Sequence, residues 1–274
     1  FVVPQCVTRN PTDFCGHSLE VNMLAYVRVR GKQNMTIAPE KALPVAGEAF
    51  SVEGRPAFLI RPAQKALGAA TPWVWYAPTL PNLLGGEENW MFEKFTAAGM
   101  AVARMDVGES YGSPRGRALF SALYAELVQK RGLAPKACLL ARSRGGLMLY
   151  NWAAEHPESV AGIAGIYPVC NLTSYPGLKT ACGAYEMTED QLAAKLAENN
   201  PIDRLEPLAK ARVPIFHIHG DMDTVVPIEK NSAIVARRYK KLGGSMTLTV
   251  IKGKGHDLWP GWFQCQELVD FVIA

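Results

Sequence analysis

The stretch LLARSRGGL, residues 139–147, runs an apolar segment into a serine held between two arginines and then into two glycines. Leu139, Leu140 and Ala141 read as the end of a buried strand, and the residues from Arg144 onward as the start of a helix. A serine on such a turn is either an ordinary helix cap or a nucleophile raised on an elbow. The strained backbone of an elbow needs small neighbours, here Ala141 and Gly145. A hydroxyl alone is a weak nucleophile; it requires a base within hydrogen-bond reach and a carboxylate to orient that base. Whether Ser143 caps or reacts therefore depends on the rest of the chain.

Around this turn, apolar runs alternate with amphipathic segments. AFLIR (57–61), PWVWYA (72–77), MAVARMDV (100–107), ACLLA (137–141), VAGIAGIY (160–167), PIFHIHG (214–220) and SMTLTVIKG (245–253) predict strands. Helices are predicted over 88–99, 114–131, 144–155, 228–241 and 261–272. This alternation predicts an α/β fold whose mostly parallel sheet is covered on both faces. Such sheets bind ligands beyond the carboxyl ends of their strands, so reactive side chains should follow strands. Residues 168–210 break the rhythm: they are rich in Pro, Asn, Thr and Gly, with one helix expected over 189–198, and read as a small lid inserted above the site. Residues 1–56 show no such pattern and are expected to form an irregular segment packed on the core, leaving 57–274 as one domain.

Two strand ends supply the missing groups. Asp223 lies in HGDMDTVVP after the strand at 214–220, and His256 lies in GKGHDLWPGW after the strand at 245–253. The chain order Ser, Asp, His is the one this elbow type requires. Together ARSRGG, HGDMDTVVP and GKGH resemble the α/β-hydrolase superfamily, close to its dienelactone hydrolase and prolyl-oligopeptidase-like branch, from about residue 57 to the end of the sequence. The resemblance implies a Ser143–His256–Asp223 triad hydrolysing a carboxylic ester through an acyl-enzyme, with no cofactor or metal. The family spacing selects Asp223 over Asp221, and Ala141 stands where GxSxG has its first glycine. It also implies an oxyanion hole formed by the Arg144 N–H and a donor from YAPT (76–79), which replaces the family's HGGG or HGxP. Pro78 has no N–H to offer; the Ala77 N–H is the first choice, with the Tyr76 hydroxyl and the Thr79 N–H as alternatives. A prolyl-oligopeptidase-like peptidase is the rival reading. It implies an N-terminal propeller, and the roughly 55 residues of different character that precede the domain favour the esterase. A non-catalytic binding protein on the same fold is a second rival.

Other residues earn narrower expectations. The Arg144 guanidinium is placed to pair with an oxyanion or a substrate carboxylate. Tyr76, Thr79, Trp259 and, in DVGESYGSP, Glu109 with its neighbours Ser110 and Tyr111 are candidates for substrate contact. His217 and His219 share a strand face and could ligate zinc, but Met222 stands where the HxHxDH pattern has its last histidine, so no metal is expected and His219 should support the acid turn. The six cysteines include no CxxC pair. Cys6 with Cys15 and Cys170 with Cys182 would close short loops, whereas Cys138 reads as a buried thiol. An even cysteine count and a start at Phe1 favour a secreted or periplasmic protein over a cytoplasmic one. NMT (34–36) and NLT (171–173) fit the glycosylation pattern. With 274 residues, 49% hydrophobic, 20% charged and a net charge of +4, the chain can bury a large core and has no dense basic run for nucleic acid. No apolar run reaches the ~18–20 residues that span a bilayer. The expected partner is a small-molecule or carbohydrate-linked ester; the sequence leaves the oligomeric state open.

Overall fold

A computed structural model describes residues 46–63, 70–77 and 86–274. Expectations that fall on 1–45, including Cys6, Cys15 and the NMT pattern, lie outside the described residues. Eight strands form one sheet: β1 (Glu48–Val52), β2 (Arg55–Ile60), β3 (Trp73–Ala77), β4 (Ala101–Met105), β5 (Ala137–Arg142), β6 (Val160–Ile166), β7 (Ile215–Gly220) and β8 (Met246–Ile251). Their order is β1-β2-β4-β3-β5-β6-β7-β8. β1 and β2 are antiparallel, β2 runs antiparallel to β4, and the remaining pairs are parallel. The α/β architecture is as expected.

The central strands are buried on both faces, which is why they read as continuous apolar runs. Trp73, Trp75 and Ala77 of β3 and Leu139 and Ala141 of β5 face one core, together with Phe120, Met148, Trp152, Val235 and Tyr239. Those partners come from α2 (Pro114–Ala125), α3 (Gly145–Glu155) and α8 (Ser232–Lys241). Val74, Tyr76 and Leu140 face the second core, where Phe92 and Phe95 of α1 (Asn89–Ala97), Trp262 of α9 (Pro260–Phe263) and Leu268 of α10 (Gln266–Ile273) pack.

Residues 48–56, expected to be irregular, instead belong to the sheet. β1 and β2 are joined across Glu53 and Gly54, both at positive φ (49° and 71°), as a two-residue hairpin demands. Glu-Gly lacks the Asn-Gly or Asp-Gly signature, and β1 is largely exposed at the sheet edge, so its residues carry no clear apolar alternation.

Residues 168–210 form a set of short helices: α4 (Leu178–Ala181), α5 (Glu189–Ala194), α6 (Leu196–Asn199) and α7 (Glu206–Lys210). The helix expected over 189–198 is two helices. Thr188 and Gln191 form a capping box at the start of α5, and Lys195 leaves helical geometry at φ −104°. Leu172, Ala181, Tyr185 and Leu192 build a third apolar cluster, packed on Tyr111, Leu147 and Val226. Asn231 ties this segment to α8, its Oδ1 accepting from the N–H groups of Cys170 (2.9 Å) and Asn171 (3.2 Å). Cys170 and Cys182 are free thiols, so the short loop they might have closed is held by this asparagine instead. Cys138 is buried as expected, and burial pushes its thiol pKa up to about 12. Asn171 of the NLT pattern is also buried, its Oδ1 accepting from the Thr173 N–H and hydroxyl.

At the β5–α3 junction the backbone of Ser143 turns through φ +49°. Its N–H donates to Ile166 O (3.0 Å), and its carbonyl accepts from Gly146 N (3.0 Å) and Val169 N (2.7 Å). A Cβ on Gly146 would stand 2.3 Å from Val169 O. Gly146, next to the Gly145 that the elbow pattern singles out, is thus a point of tight approach.

β7 buries both of its histidines. His219 Nε2 lies 2.8 Å from Val226 O, His219 Nδ1 and His217 Nδ1 lie 2.8 and 2.9 Å from Ser232 Oγ, and His217 Nε2 lies 2.7 Å from the Tyr150 hydroxyl. With both rings neutral, one proton arrangement satisfies the chain: Tyr150 O–H donates to His217, His217 N–H to Ser232, Ser232 O–H to His219, and His219 N–H to Val226 O. Every ring nitrogen is engaged in this chain. Among the described residues no cluster of His, Cys, Asp and Glu is arranged to hold a metal ion.

Burial, with His219 beside it, pushes His217 from 6.5 down to about 3. The unfolded chain therefore binds a proton that the fold refuses, and stability contributed at neutral pH is lost as pH falls from about 6.5 towards 3. Thermal unfolding followed by circular dichroism should show a midpoint that declines across this interval, with a shallower slope in His217→Gln. Gly146→Ala should lower the unfolding free energy by about 2–4 kcal/mol in urea titration. Gly183→Ala, with nothing within 4 Å of the added carbon, should stay within about 0.5 kcal/mol of the parent.

Candidate active site

Ser143, Asp223 and His256 come from three strand ends and meet. Ser143 Oγ lies 2.9 Å from His256 Nε2, and His256 Nδ1 lies 2.8 Å from Asp223 Oδ2. Asp223 is buried, and its other oxygen accepts from the N–H groups of Val225 (3.0 Å) and Val226 (2.7 Å). Burial alone would raise its pKa, but hydrogen bonds from His219, His256 and the Val226 N–H outweigh that and hold the carboxyl far below its ordinary value. An ionised Asp223 makes His256 Nδ1 the protonated nitrogen, which leaves Nε2 as the acceptor for the Ser143 hydroxyl.

The His256 ring has a firm wall. Tyr167, at φ +35° just after β6, packs its ring on His256 with centroids 4.4 Å apart and donates its hydroxyl to Asp257 O (3.2 Å). Trp262 meets Tyr167 edge-on at 5.4 Å and donates to Asp257 Oδ1 (2.8 Å). The acid and base loops are joined by the Met222 N–H donating to Lys254 O at 2.9 Å.

Arg144 caps the N-terminus of α3, where amide groups have no partner within the helix and the helix dipole favours negative charge. Its guanidinium pairs with Glu109, so these two expected site residues are brought together beside the nucleophile, 5.8 Å from the Tyr175 ring. Ala77 ends β3 in register with Ala141, one strand away from the elbow. Thr79 lies outside the described residues.

Tyr76 is placed differently from its expected role. It is 1% exposed, and its hydroxyl donates to Glu88 Oε1 at 2.6 Å, so the phenol faces a buried carboxylate in the core and not a bound carbonyl. The period-2 alternation of β3 turns Tyr76 to the side of the sheet that α1 covers. Trp259 is partly buried; its ring lies over Gly261, meets Trp262 at 5.4 Å and has the Lys254 ammonium 4.5 Å from its centroid.

Several contributors were missed from sequence. The Val225 and Val226 amides act through backbone, which leaves no side-chain signal. Tyr167 reads as the last residue of an apolar strand, and Ser232 as an ordinary helix residue. Glu88, at the start of a predicted helix, has the character of a solvated first-turn acid.

The sequence pattern of the prolyl oligopeptidase family matches residues 121–269, more than half of the chain. No curated protein sequence matches it. Among solved structures, dipeptidyl peptidase 4 from Porphyromonas gingivalis is similar with a TM-score of 0.65 and 13% identity, over 83% of this chain and 35% of that one. An S-formylglutathione hydrolase from Agrobacterium tumefaciens (TM-score 0.62, 15% identity) covers 84% of this chain and 94% of its own. Est1E from Butyrivibrio proteoclasticus (TM-score 0.61, 16% identity) covers 84% and 98%. The chain thus spans about a third of the dipeptidyl peptidase and nearly all of the other two. The elbow, the acid turn and the four strands β5 to β8 fall within the matched stretch, and by that match the chain belongs to the prolyl oligopeptidase family, among the serine hydrolases of the α/β-hydrolase superfamily.

Proposed function

We propose that this protein is a carboxylic ester hydrolase working through an acyl-enzyme. The observation that carries the reading is the unbroken line from Asp223 through His256 to Ser143, with contacts of 2.8 and 2.9 Å. Ser143 Oγ attacks the ester carbonyl while His256 Nε2 takes its proton. The negative charge that develops on the carbonyl oxygen faces the Arg144 N–H at the positive end of α3, with Ala77 and the loop after it as the source of a second donor. His256 then returns the proton to the leaving alcohol, and water repeats the cycle on the acyl-Ser143. Asp223, held ionised, keeps the imidazole in the tautomer that accepts from serine.

Leaving-group chemistry supports an ester. An alkoxide departs with modest help, whereas an amide nitrogen must be protonated before its bond breaks, which demands closer placement of the acid. The near-complete coverage of the S-formylglutathione hydrolase and Est1E folds is consistent with an ester-cleaving site built from this domain's own residues. A peptidase reading is favoured by the family match and by the dipeptidyl peptidase likeness. The two differ in one comparison. Hydrolysis of p-nitrophenyl acetate should exceed that of proline p-nitroanilide by at least about 100-fold in kcat/KM; a preference for the anilide would establish the peptidase. Ser143→Ala should lower kcat by about 10⁵- to 10⁶-fold, and a fluorophosphonate probe should label the parent and not the variant. Retention of a tenth of the activity, or an unlabelled parent, would overturn the hydrolase assignment for Ser143.

A further inference from the structure

One buried charge lies outside the triad yet reaches the structural elements that carry it. Glu88 immediately precedes α1, and its side chain is 1% exposed. Its Oε1 accepts from the Tyr76 hydroxyl at 2.6 Å and from Arg142 Nη1 at 2.5 Å, while Oε2 has no hydrogen-bond partner among the described residues. Arg142 is the last residue of β5 and is bonded directly to Ser143. Its guanidinium lies over the Phe263 ring at 4.8 Å, and Trp262, the residue before Phe263, packs edge-on against Tyr167, the ring on which His256 rests. Tyr76 is the penultimate residue of β3, whose end leads into the loop expected to supply the second oxyanion donor. One carboxylate therefore ties together the strand ends behind the nucleophile and the oxyanion loop, and the wall behind the base.

Such an arrangement is a poor way to stabilise a fold. Removing a carboxylate and a guanidinium from water is costly, and well-packed apolar residues of similar volume commonly do as well or better. What the ion pair adds is direction. A planar guanidinium paired with a carboxylate and laid over a phenyl ring has one orientation, whereas an aliphatic chain in the same space has several. The neighbouring core is already dense with Phe92, Trp262 and Phe263, so burial alone does not call for a charge here.

We propose that Glu88 is a positioning residue of the active site: through Arg142 it fixes the end of β5 that presents Ser143, and through Arg142 and the Phe263–Trp262 pair it supports Tyr167, the surface that holds the His256 ring. The inference rests on the reading of Ser143 and His256 as nucleophile and base. It requires Glu88 substitutions to slow turnover in properly folded molecules without weakening substrate capture.

The test uses p-nitrophenyl acetate with active sites counted by fluorophosphonate titration, so that unfolded protein drops out of kcat. Glu88→Leu should lower kcat per titrated site by about 30- to 100-fold with KM within threefold. Glu88→Gln keeps an acceptor for Tyr76 and Arg142, and should recover to within tenfold of the parent. Arg142→Met should cost as much as Glu88→Leu, and the double variant no more than threefold beyond either, because the two act as one unit. Should Glu88→Leu fail to fold, Glu88→Asp, one methylene too short to meet both partners, should still lose about tenfold in kcat. A kcat per titrated site within twofold of the parent in Glu88→Leu or Glu88→Asp, with only the unfolding midpoint lowered, would overturn the proposal. Ser143→Ala run alongside separates the two claims, since an active Ser143→Ala variant refutes the triad whatever Glu88 does.

Discussion

At φ +49°, the backbone of Ser143 sits where an L-residue is disfavoured by about 1–2 kcal/mol. Nothing in the side chain explains its persistence there. It persists because the chain on either side is over-determined: β5 is bound into the middle of the sheet, α3 begins within two residues, and the Ser143 carbonyl is gripped by the amides of Gly146 and Val169. The hydroxyl is thereby lifted clear of both the strand and the helix. Tyr111 and Tyr167, which flank the site from other strand ends, also stand at positive φ, 48° and 35°. Glu53, Glu186 and Arg212 share this region elsewhere in the fold, so the strain marks tight turns generally; at Ser143 the surrounding sheet absorbs it.

The acid limb of the site is secured by different means. Asp223 is buried, which on its own would neutralise it, and two backbone amides together with two histidines reverse that outcome. His219 in turn is held by Ser232, and Ser232 by His217 and Tyr150, so the support of one carboxylate runs from β7 into the first helix after the nucleophile. Two buried polar systems thus serve one surface site, this chain on the acid side and the Glu88 knot beneath the nucleophile and base. Each stands in a core that is otherwise hydrocarbon and aromatic, where polar groups are expensive unless paired.

Much of this was legible in the sequence because it depends on periodicity and on short motifs. Strands buried on both faces announce themselves as apolar runs, and the order of Ser143, Asp223 and His256 along the chain restricts how they can meet. What escaped depends on contacts between residues far apart in sequence or on backbone alone. β1 was hidden by its exposed edge position and an unremarkable Glu-Gly turn. Tyr76 was credited with a role at the site because its strand ends there, although alternation along β3 sends its ring into the core that α1 covers, against Glu88. The break at Lys195 divides a helix whose side-chain pattern runs on unbroken. Glu88 looks like an ordinary surface charge until the fold encloses it.

Leu147 is four residues beyond the nucleophile, and Val226 supplies an amide that holds Asp223; both are also wall residues of the apolar cluster inside the 168–210 segment. Residues 168–210 and the elements that carry Ser143 and Asp223 therefore share hydrocarbon. This segment is not a cassette that can be exchanged while the rest of the fold stays as it was. Any remodelling of its interior, whether by laboratory grafting or by evolutionary drift, transmits a volume change to α3 and to the acid turn. Divergence of this segment is thus constrained to travel together with compensating changes around Leu147 and Val226.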